Sequence, residues 1–121
     1  MSSWQAWFLT AYFRAQRLFL STGAELDVAA DRAQAEAFAK TFKPLGQVEV
    51  VSSVNAGGVA AAWLNPVGSL SERVILFTHG GSYNSGSITS HIPLTGSIAV
   101  AAKARTLAID YRLAPEHPFP A

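Results

Sequence analysis

Apolar side chains recur at three- and four-residue steps from Trp4 to Leu20, with Trp4, Trp7, Phe8, Ala11, Tyr12, Ala15, Leu18 and Phe19 on one side and Gln5, Thr10, Arg14 and Arg17 on the others. That period predicts an amphipathic helix. Ser2, with Gln5 three positions on, fits a capping box at its start, and Thr22 with Glu25 repeats the arrangement. A second, alanine-rich helix is predicted from about Ala24 to Phe42, with Leu26, Ala30, Ala33, Ala37 and Phe38 as its packing stripe, stopped by Pro44 and Gly46.

After Pro44 the period falls to two. Val48, Val50 and Ser52 alternate with Gln47, Glu49 and Val51, and Asn55-Ala56-Gly57-Gly58 supplies a turn before Val59 to Leu64, which predicts an antiparallel hairpin. Val74-Ile75-Leu76-Phe77 is apolar on both faces, as in a strand covered on either side. It runs out at His79. A Gly/Ser-rich loop follows, then a helix from about Thr89 to Ala104, and Thr106-Leu107-Ala108-Ile109 repeats the doubly apolar pattern up to Asp110. The last three elements make one parallel βαβ unit with an expected right-handed crossover. The fold class is therefore α/β, with residues 1–45 as a helical segment and 46–121 as a sheet-bearing core.

Composition narrows the function classes. With 121 residues the chain is the size of one domain, and 50% apolar against 14% charged residues excludes a disordered tail. A net charge of +1, with its charges dispersed, leaves no basic stripe for nucleic acid. Without cysteine there is no disulfide, thiolate metal site or cysteine nucleophile. Arg14 and Arg17 interrupt the longest apolar stretch well short of the roughly 20 residues that span a bilayer, so a soluble, cytoplasmic chain is expected.

In open α/β sheets ligands collect at the carboxyl ends of the strands, and both unusual segments fall there. His79-Gly80-Gly81-Ser82-Tyr83 leaves the first central strand, and DYRLAPEHPFPA, residues 110 to 121, leaves the second. Glycines without a Cβ let backbone N–H groups approach a ligand oxygen closely, as a donor pair for developing negative charge or simply as a tight turn. Together the two segments closely resemble the hormone-sensitive-lipase-like branch of the α/β-hydrolases, whose lipases and esterases carry an HGGG-type loop. The resemblance covers the whole chain, as two cap helices, a hairpin and the first βαβ unit of the sheet.

The resemblance implies specific roles. Gly80, Gly81 and Ser82 match the loop whose backbone amides form the oxyanion hole, with Gly81 and Ser82 as the donors. Ser82 stands where the family more commonly has a third glycine. Tyr83 matches the aromatic that lines the substrate pocket. His79 is expected to orient the loop by hydrogen bonds rather than act as a base. Asp110, Arg112 and Glu116 are expected to form an ion-pair and hydrogen-bond cluster that stiffens the second loop. His91 and His117 read as surface or turn residues, and neither a metal nor a cofactor is expected.

The reaction also needs a serine on a strained strand-to-helix elbow, spelled G-x-S-x-G. No serine of this chain has glycine at both flanking positions, and no S-x-x-K exists. The resemblance implies that nucleophile, acid and base all lie outside these residues. The family's strand order leaves the Val74–Thr78 strand bare on one side, so either the remainder of the same enzyme or a second copy is expected to cover that edge. The expectation is thus the N-terminal portion of a serine carboxylesterase for short or medium acyl esters, inactive alone. The alternative is a non-catalytic interaction module that acts through the open edge.

Overall fold

The computed structural model describes residues 4–20 and 27–120, ordered as α1 (Trp4–Leu20), α2 (Val28–Ala39), β1 (Val48–Ala56), β2 (Val59–Pro66), β3 (Leu70–Thr78), α3 (Ile88–Ala102) and β4 (Ala104–Asp110). The four strands form one mixed sheet in the order β1-β2-β4-β3. β2 pairs antiparallel with both β1 and β4, while β3 runs parallel to β4 through the α3 crossover. An α/β sheet with one hairpin and one βαβ unit is what the periodicity predicts.

Local chemistry accounts for the element ends. Gly57 and Gly58 both take positive φ in the two-residue turn, and Asn55 Oδ1 accepts from the Gly58 N–H at 2.6 Å. Ser87 caps α3 in a reciprocal box with Ser90, and Lys103 in the left-handed region ends it. The cap of α2 is Asp27, whose side chain accepts from the Ala30 N–H. The Ser2–Gln5 and Thr22–Glu25 boxes, like Leu26, lie outside the described residues.

The core is built from short side chains: Ala61, Ala62 and Leu64 of β2, Ala99 of α3, and Ala104, Thr106 and Ala108 of β4 are buried. Small residues let α3 lie close on the sheet. A Cβ on Gly96 would come within 2.8 Å of the Pro44 ring, so this glycine admits the segment that links the helices to β1.

Two expectations about faces need correction. β3 is not covered on both sides: Val74 is 58% and Leu76 64% exposed, because among the described residues both helices that pack together, α2 and α3, lie toward the other face. The inner face of α2 is not the alanine stripe. Val28, Arg32, Glu36 and Ala39 are the less exposed positions, whereas Ala30, Ala33, Ala37 and Phe38 face outward. A helix can turn a polar face inward when each polar group finds a partner, and Arg32 and Glu36 do so below. On α1, Trp4, Trp7, Phe8 and Tyr12 are half or more exposed.

Candidate active site

Both unusual segments leave the carboxyl ends of neighbouring parallel strands, β3 and β4, and so meet at one end of the sheet. Gly81, Ser82 and Tyr83 have φ of 125, 54 and 61°, a left-handed run that bends the chain back on itself. The Gly81 carbonyl closes the turn by accepting from the N–H groups of Asn84 and Ser85 and from the Ser85 hydroxyl. A Cβ on Gly81 would collide with the Ser85 carbonyl, so glycine is required there, whereas Gly80 has open space at the same position.

With the carbonyl side of the turn so engaged, the N–H groups of Gly81, Ser82 and Tyr83 have no acceptor among the described residues. They border a cleft of about 490 Å³ lined by Thr78, His79, Gly80–Tyr83, Ile109 and Tyr111. Unpaired main-chain donors beside a cleft can receive a ligand oxygen. Tyr83 is 77% exposed and also borders a larger adjoining cleft, of about 1110 Å³, with Arg112, His117 and the Gly57–Gly58 turn.

His79 sits beneath the loop, buried, with its ring stacked on Tyr111 at a centroid distance of 4.3 Å. Its Nδ1 lies 2.9 Å from the Gly80 carbonyl. A carbonyl only accepts, so the proton belongs on Nδ1. Nε2 is left without a hydrogen bond, 3.7 Å from Asp110 Oδ1. The Tyr111 hydroxyl donates to the His79 carbonyl at 2.6 Å, and burial together with neighbouring Tyr83 raises the phenol above its ordinary range.

Asp110, Arg112 and Glu116 do not form one cluster. Asp110 accepts from the Ile88 N–H at 2.7 Å and so holds the start of α3. Arg112 is exposed and has no ionic or hydrogen-bond partner among the described residues. Glu116 instead takes a bidentate pair from Arg32 of α2, at 2.9 and 3.0 Å, which holds its carboxyl down to about 2. Asp110 closes β4, whereas Arg112 and Glu116 lie beyond it in a loop without the strand's regular alternation, so the three side chains are not held on one face.

Arg32 is the residue that sequence reasoning missed. Besides Glu116 it donates from Nε to the Asn84 carbonyl at 2.7 Å and from Nη2 to the Ala114 carbonyl at 2.8 Å. One turn on, Glu36 accepts from the Ser87 hydroxyl at 2.7 Å. In the sequence Arg32 and Glu36 look like an ordinary solvent-facing i, i+4 pair, and their true partners lie more than 50 positions away.

Two of the three loop serines are engaged in structure: Ser85 donates to the Gly81 carbonyl and Ser87 to Glu36. His91 keeps its Nδ1 within 2.9 Å of the Ser90 hydroxyl. His117 lies exposed in the larger cleft. Among the described residues no three His, Cys, Asp or Glu side chains converge as a metal would require, and no helix is long and apolar enough to cross a membrane.

Residues 75–121, which contain the end of β3, the glycine loop, α3, β4 and the second motif, match the α/β-hydrolase fold family. An acetyl-hydrolase of Streptomyces hygroscopicus is 44% identical over 94 residues, covering 78% of this chain and 29% of the relative. The carboxylesterase NlhH of Mycobacterium tuberculosis is 46% identical over 48 residues, 40% of this chain and 15% of the relative. Among solved structures, a hormone-sensitive lipase from a metagenome library aligns with a TM-score of 0.76 at 33% identity, covering 93% of this chain and 37% of the other. An esterase/lipase from an uncultured bacterium aligns at 0.74 and 41% identity, covering 83% and 33%.

The class is that of the α/β-hydrolases. Within it the chain is similar to the hormone-sensitive-lipase-like esterases and corresponds to their N-terminal part. It spans about a third of the length of the relatives it matches.

Proposed function

We propose that this chain supplies the main-chain side of the oxyanion hole of a serine carboxylesterase acting on short or medium acyl esters. A serine hydroxyl contributed from outside these 121 residues attacks the ester carbonyl after giving its proton to a histidine base. The carbonyl oxygen becomes an oxyanion, which the Gly81 and Ser82 N–H groups receive; collapse expels the alcohol and leaves an acyl-serine that water then cleaves. Tyr83 borders the substrate. His79, Tyr111 and Asp110 act on the loop and the helix start rather than on the ester. The observation that carries this reading is that the Gly81 and Ser82 amides, in the loop lining the cleft at the carboxyl ends of β3 and β4, have no acceptor among the described residues.

The position of β3 fits the same picture: it is the end strand of the described sheet, so its outer backbone edge is open to the rest of such an enzyme or to a second copy of this chain, and Val74 and Leu76 leave one of its faces bare. The test is hydrolysis of p-nitrophenyl butyrate by this chain alone and by this chain fused to the remaining two-thirds of the Streptomyces acetyl-hydrolase. We expect no turnover alone and turnover, blocked by a serine-directed phosphonate, in the fusion. A fusion that is folded by circular dichroism yet inactive would count against the reading. Activity of the isolated chain would require a nucleophile among Ser82, Ser85 and Ser87.

A further inference from the structure

We propose that Arg32 is a positioning residue for the oxyanion loop, a proposal that rests on the reading of Gly81 and Ser82 as oxyanion donors. From helix α2 its guanidinium holds the Asn84 carbonyl, at the exit of the glycine turn, against the Ala114 carbonyl and the Glu116 carboxylate of the second loop.

Three successive left-handed residues, two of them not glycine, are a conformation the surroundings must hold in place. Within the turn, the bonds to the Gly81 carbonyl set its curvature but not where it points. Pointing is decided by its outer ties. The entry is held by the Tyr111 hydroxyl on the His79 carbonyl, the middle by the Ala114 N–H on the Tyr83 carbonyl at 2.8 Å, and the exit by Arg32 on Asn84. Arg32 also grips the residue that makes the middle tie, because Nη2 takes the Ala114 carbonyl while Ala114 gives its N–H to Tyr83. Removing the guanidinium therefore loosens two of the three ties at once.

A planar fork is needed for this. Four hydrogen bonds leave Arg32 in diverging directions toward three acceptor residues, and an ammonium with three donors on a flexible stem cannot reproduce them. The side chain does not border either cleft, so it acts through Asn84 and Ala114 and not on substrate.

The test compares the 121-residue chain with its Arg32→Lys and Arg32→Ala variants by amide hydrogen exchange and ¹H–¹⁵N chemical shifts, with Glu36→Gln as a control one turn along the same helix. The protected amides of Asn84 and Ser85 report the turn. We expect their exchange to accelerate about tenfold in both Arg32 variants, the size of losing a charge-assisted bond. The Ser82 and Tyr83 amide shifts should move, while amides of the β2–β4 ladder stay as they were. In the active fusion, Arg32→Lys should lower kcat about tenfold at unchanged KM. Full protection in Arg32→Lys would mean that charge alone suffices and would overturn the proposal, as would equal acceleration across the ladder. An inactive wild-type fusion would sink the functional reading without touching the exchange result.

Discussion

The carboxylate of Asp110, at the end of β4, accepts a hydrogen bond from the backbone N–H of Ile88, the first residue of α3, at 2.7 Å. An anion at that place satisfies an orphan donor and faces the positive end of the helix. It also links the second motif to the helix that follows the glycine loop. Replacing Asp110 by Ala should cost about 0.5–2 kcal/mol of unfolding free energy, the range for a lost helix cap. Asp110→Asn, which keeps the acceptor, should cost less, and urea denaturation of both variants separates the two cases.

Gly80 and Gly81 are adjacent but make opposite demands. Gly81→Ala should distort the turn, since the new Cβ meets the Ser85 carbonyl at a φ of 125°. In the active fusion it should reduce turnover by about 10²–10³, as for loss of an oxyanion donor. Gly80→Ala meets nothing within this chain, so its unfolding midpoint should equal that of the wild type. A fall in esterase activity for Gly80→Ala alone would then report contact with substrate or with the rest of the enzyme.

The Arg32–Glu116 pair dictates a direction for pH. Hydrogen bonding to Arg32 lowers the Glu116 carboxyl from its ordinary value near 4.5 to about 2. A group whose pKa is lower in the folded state stabilises the fold above its unfolded pKa and loses that contribution as pH falls through the folded one. The difference between wild type and Glu116→Gln in urea midpoint should therefore be constant from neutral pH to about 5 and shrink between about 4.5 and 2. A gap that closes instead near neutrality would show that another group is responsible.

The open side of β3 should make the isolated chain associate. Leu76 is exposed on a strand with no neighbour on its outer edge among the described residues, and Leu76→Lys places there the charge that natural edge strands use against pairing. Sedimentation velocity should show concentration-dependent association for the wild type and a shift toward monomer for Leu76→Lys. Identical, purely monomeric profiles would count against a partner at this edge.

The core offers little redundancy. Leu64 is fully buried among alanines, so Leu64→Ala should cost about 2–5 kcal/mol and leave the α3–sheet contact poorly packed. Thermal unfolding followed by far-ultraviolet circular dichroism should show a lowered and broadened transition.

Much of this chain is legible without coordinates because it depends on neighbours in sequence. The three- and four-residue steps over residues 4–20 mark α1, the period of two after Pro44 marks the hairpin, and paired glycines mark the turns. The two loop motifs, at the ends of strands expected to be parallel, are enough to say where a ligand would be met. What the sequence does not contain is direction. That α2 turns Arg32 and Glu36 inward, that Glu116 chooses Arg32 over Arg112, and that Asp110 serves α3 all depend on groups more than 20 positions apart being brought within 3 Å. Composition and spacing decide which groups are available, whereas only the packing of α2 and α3 beside the ends of β3 and β4 decides which of them meet, because a hydrogen bond is set by distance and angle and neither is encoded in local order.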